Sequence, residues 1–250
     1  MSDATRSHLY GAGVFTTIRI IDGQPWLWDK HWLRLVHDAG AISLDVHEIT
    51  ERLVRQELDY ALEKVEIRNG RARVTLSDAR FAAIWPDVDE PESSTTIGII
   101  TGESREIVRP FRLTISSHRV NSTSPLAGLK TCNYLEQLLA LDEARSRDFS
   151  DAVRINERGH LTSTCMANLF WLEDGRLFTP ELTTGCLPGT TREFVTETLQ
   201  VEEVEASLSG LGHPDAIFLT SAGLGVVQVD EFDGRAMPTT DHAILSLIPS

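Results

Sequence analysis

The sequence predicts an α/β (α+β) chain in two domains, and three observations carry that expectation. Strand and helix patterns alternate, they recur on both sides of residue 120, and the stretch between, "SSHRVNSTSPLAG" (116–128), collects Ser, Thr, Asn, Pro and Gly with neither periodicity. The expected boundaries are a small N-terminal α/β domain over 1–117, a connection over 118–129 and a larger C-terminal domain over 130–250.

Each element has its own signal. "GVFTTIRII" (13–21) is rich in β-branched residues and reads as a strand, with a short hairpin partner in "GQPWLW" after the Asp22-Gly23 turn. "DKHWLRLVHDAG" (29–40) places apolar residues at helical spacing, with Asp29 at its start and Gly40 at its end. Helices are also expected over 47–66 and 133–147, and strands in "RARVTLS", "TTIGIIT", "FRLTISS", "DAVRIN", "ANLFWL", "GRLFT", "AIFLTS" and "GVVQV". A helix should begin near Thr190, where Pro188-Gly189 makes a turn and Thr190-Thr191-Arg192-Glu193 has the spacing of a capping box. The sequence carries no internal repeat.

Composition bounds the partners. With 250 residues, 41% of them hydrophobic, the chain can build substantial cores. Its 37 acidic against 23 basic residues, a net charge of -14, repel phosphate backbones and anionic lipid, so neither nucleic acid nor membrane is expected as a partner. No apolar run approaches the roughly 20 residues of a spanning helix, and the start "MSDATRSHLYGAG" has no signal-peptide core. Cys132, Cys165 and Cys186 are scattered without CxxC spacing, which argues against a disulfide framework and against a metal site and fits a reducing cytoplasm.

Three stretches carry candidate chemistry. Lys130 is one of only three lysines, and it is the only charged residue between Val120 and Leu135. Lys30 and Lys64 lie among charged neighbours and read as solvated helix-surface residues. A lysine near apolar groups becomes available as a neutral amine, the condition for covalent or general-base work; the bland alternative is a snorkelling side chain whose stem packs under a loop. At the Thr190 helix start, free backbone N–H groups, a glycine and two hydroxyls make a pocket suited to a phosphate, or simply an ordinary capped helix. In "HWLRL", His31 and Arg34 share a helix face, and an arginine can hold a phosphate by two parallel bonds or stand on the surface.

Taken together, "YGAGVFTTIRIIDG", "HWLRLVHDAG", "GLKTCNYLEQLLALDEAR" and "GHLTSTCMANLFWLEDGRLFTPELTTGCLPGTTREF" resemble, in order and over nearly the whole chain, the fold-type-IV pyridoxal-phosphate enzymes, the class-IV aminotransferase family. The resemblance implies a two-domain fold like that of D-amino-acid aminotransferase, with the cofactor pyridoxal 5'-phosphate bound by the C-terminal domain. A homodimer and a small amino-acid-like substrate are also implied. It assigns Lys130 as the lysine that binds the cofactor covalently and shuttles protons, and Arg34 as a ligand of its phosphate. Gly189, Thr190 and Thr191 match a phosphate-binding turn, Leu187 the apolar residue against the cofactor ring, and Ser221 and Ala222 a second phosphate-contacting loop.

Local wording is most similar to the aminodeoxychorismate lyase branch, which releases pyruvate from 4-amino-4-deoxychorismate to give 4-aminobenzoate on the way to folate. Asn133 follows Lys130 by three, as in the lyases and D-amino-acid transaminases. Phe15 stands where D-amino-acid transaminases carry a tyrosine, and Arg80, or else Arg73, is the expected clamp for a substrate carboxylate. Ser163 occupies the position of the family's glutamate opposite the pyridine nitrogen. A hydroxyl there makes a weaker electron sink than a carboxylate, which favours a lyase over a transaminase. A D-amino-acid transaminase and a cofactor-binding but catalytically weak homologue are the alternatives.

Overall fold

The structure is a computed structural model that describes residues 4–80, 94–104 and 106–248. Its helices are α1 (Arg6–Tyr10), α2 (Trp28–Ala41), α3 (Glu51–Lys64), α4 (Leu135–Ser146) and α5 (Thr190–Thr198). The strands are β1 (Gly13–Ile21), β2 (Gln24–Pro25), β3 (Gly70–Asp78), β4 (Thr95–Glu103), β5 (Arg112–Ile115), β6 (Asp151–Ile155), β7 (Leu161–Thr164), β8 (Asn168–Glu173), β9 (Arg176–Pro180), β10 (Val201–Val204), β11 (Ala216–Ser221), β12 (Gly225–Gln228), β13 (Glu231–Phe232) and β14 (Arg235–Ala236).

The chain divides into two compact units: Met1–Arg105 with Leu129–Tyr134, and Glu106–Gly128 with Leu135–Ser250. This differs from the boundaries expected at 117 and 130. Residues 106–117 belong to the second unit because β5 pairs in parallel with β6. The polar segment stays paired as far as Val120, whose N–H donates to Ile155 O. Leu129–Tyr134 belongs to the first unit because it hydrogen-bonds to β1.

The first unit is an antiparallel sheet in the order β2-β1-β3-β4. Alternation decides its faces. Val14, Ile18 and Ile20 of β1 and Ala72, Val74 and Leu76 of β3 share a core with Leu35 and Ala39 of α2 and Val54, Leu58 and Leu62 of α3. The other face carries Phe15 and Thr17 of β1, register partners of Thr75 and Arg73 of β3. α3 begins at Thr50, whose hydroxyl accepts from Leu53 N–H. α2 starts at Trp28 after Leu27 in a left-handed conformation, so Asp29 lies inside the helix instead of capping it, and Gly40 is helical too.

The second unit holds two five-stranded sheets, β10-β9-β8-β11-β12 and β14-β13-β5-β6-β7. Leu113, Val153 and Leu161 of one pack with Leu169, Trp171, Ile217, Leu219 and Val227 of the other. The opposite face of the first of these sheets, through Phe170, Leu172 and Phe218, buries Val195 of α5 and Ile244. This sheet is therefore covered on both sides, which is why "NLFWL" is apolar at every position after its asparagine. α4 lays Ala140, Leu141 and Ala144 against Ala152 and Cys165. No helix among the described residues is long and apolar enough to cross a membrane.

Candidate active site

β2 pairs only with Ile20 and Ile21, which leaves the beginning of β1 open on that edge. The segment around Lys130 fills it. Val14 and Thr131 form an antiparallel bridge, Phe15 N–H donates to Lys130 O at 2.9 Å, and Cys132 N–H donates to Gly13 O at 2.8 Å. A side chain at Gly13 would push its Cβ to 2.8 Å from Leu76 O and 3.2 Å from Cys132 Sγ, so the close approach depends on glycine. Lys130 N–H donates to Asp38 Oδ2 at 3.1 Å, and Asp38 is buried in α2. Both main-chain hydrogen-bonding groups of the lysine are thereby fixed within this unit.

The side chain lies among aromatic rings and cations. Lys130 Nζ is 3.2 Å from Tyr134 Oη and stands 4.5 Å from the centroid of Phe15 and 4.7 Å from that of Tyr134. The two rings meet edge to face at 5.2 Å. Arg73 places its guanidinium carbon 3.6 Å from the Phe15 centroid, while its Nε donates to Thr75 Oγ1 at 3.2 Å. Burial, then Arg34 and Arg73, lower the ammonium's pKa from 10.5 to about 7, against the opposing pull of Asp38. At neutral pH this amine is divided between its two forms, whereas Lys64 is exposed on α3. Lys30, expected on the surface, is partly buried.

Arg34 and His31 lie on the face of α2 that meets Thr16. Arg34 Nη2 donates to Thr16 Oγ1 at 2.9 Å, and that oxygen is 2.6 Å from His31 Nδ1. Because the guanidinium only donates, the threonine's own hydrogen is free to point at His31 Nδ1, leaving the neutral ring's proton on Nε2. Burial, Arg34 and Lys130 hold the His31 pKa well below 6.5. Arg80 is differently engaged: its Nε donates to both oxygens of Asp78 at 3.0 and 3.1 Å and its Nη2 to Oδ2 at 2.6 Å.

The second unit assembles the other expected residues around the start of β8. Asp151, buried in β6, accepts from Thr164 Oγ1 at 2.8 Å and from Cys165 N–H at 2.9 Å. Thr164 Oγ1 in turn accepts from Ala167 N–H at 3.1 Å, closing the turn that delivers Asn168. Asn168 Nδ2 and Gly189 N–H both donate to Leu187 O, at 2.8 and 2.9 Å. Any Cβ at Gly189 would collide with Asn168 Oδ1. Gly189 itself is the N-cap of α5 and offers no side-chain cap, so the expected capping box does not form: Thr190 lies within the first helical turn. The Thr191 hydroxyl is buried there without a hydrogen-bond partner.

Two further residues gather here that sequence reasoning missed. Thr220, the register partner of Asn168, has a second buried hydroxyl without a partner. It precedes Ser221, whose Oγ accepts from Leu224 N–H at 3.1 Å, and the buried Ala222. Ser163 sits on β7, its hydroxyl donating to Thr164 O at 2.9 Å, with no carboxylate in its place. Its register partner is the buried Arg154, also missed, which donates to His118 O and Arg119 O at 3.2 and 3.1 Å. Among the described residues, no group of three or more His, Cys, Asp or Glu side chains could hold a metal ion.

Known proteins resemble this chain along most of its length. The family Amino-transferase class IV matches residues 13–232. An aminodeoxychorismate lyase of Vibrio harveyi is 30% identical over 239 residues, covering 90% of this chain and 84% of its own. A D-alanine aminotransferase of Listeria innocua is 25% identical over 239 residues, 92% of this chain and 81% of its own. The crystal structure of a proposed 4-amino-4-deoxychorismate lyase from Legionella pneumophila superposes with a TM-score of 0.87 at 28% identity, over 97% of this chain and 91% of that one. With the fold, an amine that titrates near neutrality and matches of this extent, the chain is an enzyme of the class-IV aminotransferase family.

Proposed function

We propose that this enzyme releases pyruvate from 4-amino-4-deoxychorismate to give 4-aminobenzoate, using pyridoxal 5'-phosphate attached to Lys130. The observation that carries the reading is the Lys130 amine, which titrates at about 7 among Phe15, Tyr134, Arg34 and Arg73. An ordinary surface lysine is fully protonated at neutral pH and cannot attack an aldehyde.

The chain's donors suit the cofactor. Within the first unit Arg34 offers a guanidinium suited to a phosphate, and within the second α5 offers the N–H groups of its start with the unpartnered hydroxyl of Thr191. Leu187, Ser221 and Ala222 are proposed as further contacts, and Ser163 as the residue facing the ring nitrogen. When bound, pyridoxal phosphate supplies an aldehyde for amines and a ring that delocalises the electron pair of a breaking bond. Lys130 Nζ would take up a proton from the substrate and return one as pyruvate departs. The hydroxyl of Tyr134, 3.2 Å away, steadies that nitrogen.

Arg73 is the better candidate for the substrate carboxylate. Its described partners are a hydroxyl, the Phe15 ring and Cys132 Sγ at 4.0 Å, whereas Arg80 is neutralised by Asp78. Exposed leucines on α4, Leu135, Leu138 and Leu139, support a homodimer. Three free cysteines support a cytoplasmic setting.

The test is to mix the cofactor-loaded protein with 4-amino-4-deoxychorismate and measure pyruvate and 4-aminobenzoate. Both should form in equal amounts, and Lys130→Ala should abolish them together with borohydride-reducible cofactor attachment. A protein that instead converts D-alanine briskly and releases no 4-aminobenzoate is a D-amino-acid transaminase. One that binds cofactor and turns over neither substrate is a catalytically weak homologue. Cofactor attached at Lys30 or Lys64 removes Lys130 from the reading.

A further inference from the structure

Asp38 stands out among the buried charged groups because a cheaper residue would do its visible task. Its Oδ2 accepts the Lys130 main-chain N–H at 3.1 Å, and its Oδ1 lies 3.1 Å from His37 Nδ1. Asp38 itself is 1% exposed. A serine or asparagine would satisfy a lone backbone N–H without the desolvation of an ionised carboxylate. The extra feature of the aspartate is its charge, and the surroundings are cationic. Arg34 lies one helical turn earlier on α2, and Arg73 reaches Phe15 from β3.

We propose that Asp38 is a positioning residue for Lys130: it pins the lysine's peptide to α2, and its negative charge offsets the two guanidiniums that bear on the amine. Among the described residues of the first unit, the titratable and charged groups around Lys130 are His31, Arg34 and Asp38 from α2, Arg73 from β3, and Cys132 and Tyr134 from its own segment. Asp38 is the single anion acting on the amine among them; His31 is held neutral and the Cys132 thiol is pushed up by burial. Without Asp38 a larger share of the amine would be unprotonated at neutral pH. It would then be a weaker base for the proton it has to take from the substrate. With it, one nitrogen serves as both base and acid in the same pH range.

This inference rests on Lys130 being the reactive amine, and its test does not depend on turnover. The full chain, freed of cofactor, is acylated with a limiting reagent from pH 5 to 10, and labelling of each of the three lysines is followed by mass spectrometry. In Asp38→Asn, which keeps an acceptor for the N–H, the midpoint for Lys130 should fall by at least about half a pH unit. The midpoint for Lys64 should not move. Asp38→Ser is the second variant, with the same expected direction. An unchanged or raised Lys130 midpoint in a folded variant overturns the proposal. Failure of both variants to fold overturns it too, by giving Asp38 a purely structural role. Cofactor found on Lys30 or Lys64 would sink the earlier reading while leaving the Asp38 titration result intact.

Discussion

Lys130 and Arg73 meet over one aromatic ring, and what each does there follows from its partners. The ammonium loses hydration and faces two guanidiniums, so its proton is held weakly. The guanidinium keeps its charge and has no carboxylate among its described partners, so it is poised for an anion. Arg73→Gln should raise the KM for 4-amino-4-deoxychorismate about ten- to a hundredfold, the equivalent of one charged hydrogen bond, with a smaller change in kcat. Arg80→Gln should leave KM within about twofold and lower Tm, because the buried Asp78 loses its nearest guanidinium and keeps the longer pair with Arg6 at 3.7 Å. The reverse pattern would restore Arg80 as the clamp. Lys130 was legible in the sequence because isolation in an apolar run is a local property. The choice between Arg73 and Arg80 was not, since it turns on Phe15, which strand pairing brings to Arg73, and on the side-chain bonds that Arg80 folds back to Asp78 two residues earlier. Arg154 escaped for the same reason: nothing in "DAVRIN" announces that it will stand opposite Ser163.

At the scale of elements, the start of α5 shows how a turn can be read correctly and explained wrongly. The helix begins at Thr190 as its pattern predicts, yet its cap is Gly189, and the threonine and glutamate of the expected box lie inside the helix. The sequence signal was ambiguous because a glycine before Thr-x-x-Glu permits either register, and the packing of Asn168 decides between them. Gly189 has φ −67° and ψ 136°, angles any residue adopts, so alanine there carries a steric penalty and little conformational one. Gly189→Ala should swing the Asn168 amide away from Leu187 O and cost about 1–3 kcal/mol, a loss of several degrees in Tm. The Gly189→Ala/Asn168→Ala double variant should be no less stable than Asn168→Ala alone, because the colliding atom is gone. Additive losses in that cycle would mean that the glycine is required for some other reason. Strand and helix cores elsewhere were easier to read. β1 and β3 run nine residues with buried positions at strand spacing and β8 is an apolar run, whereas β13 and β14, of two residues each, carry no periodicity at all.

For the whole molecule, the buried amine ties folding to pH and to the cofactor. In the unfolded chain Lys130 has the ordinary pKa of 10.5, and in the folded protein about 7. Between those values the unfolded state binds the lysine's proton and the folded state does not, so stability rises with pH across the window from about 7 to 10.5. Below it both states are protonated and the full penalty of burying the ammonium is present, on the order of 5 kcal/mol by the free energy of each pKa unit. His31 acts at the acid end. Its folded pKa is depressed, so the unfolded state takes up a proton first as pH falls through about 6.5, and stability declines there as well. Other groups titrate in the same range, so the informative quantity is the difference between native protein and Lys130→Met, measured by urea unfolding without cofactor. That difference should favour the variant at pH 7 and shrink steadily toward pH 10. Saturation with pyridoxal phosphate should raise the native protein's stability across this range, because a ligand that binds the folded state alone adds its binding free energy to it. A native protein whose urea midpoint follows the variant's at every pH would show that the Lys130 ammonium remains solvated, and the amine would then lose its claim to reactivity near neutral pH.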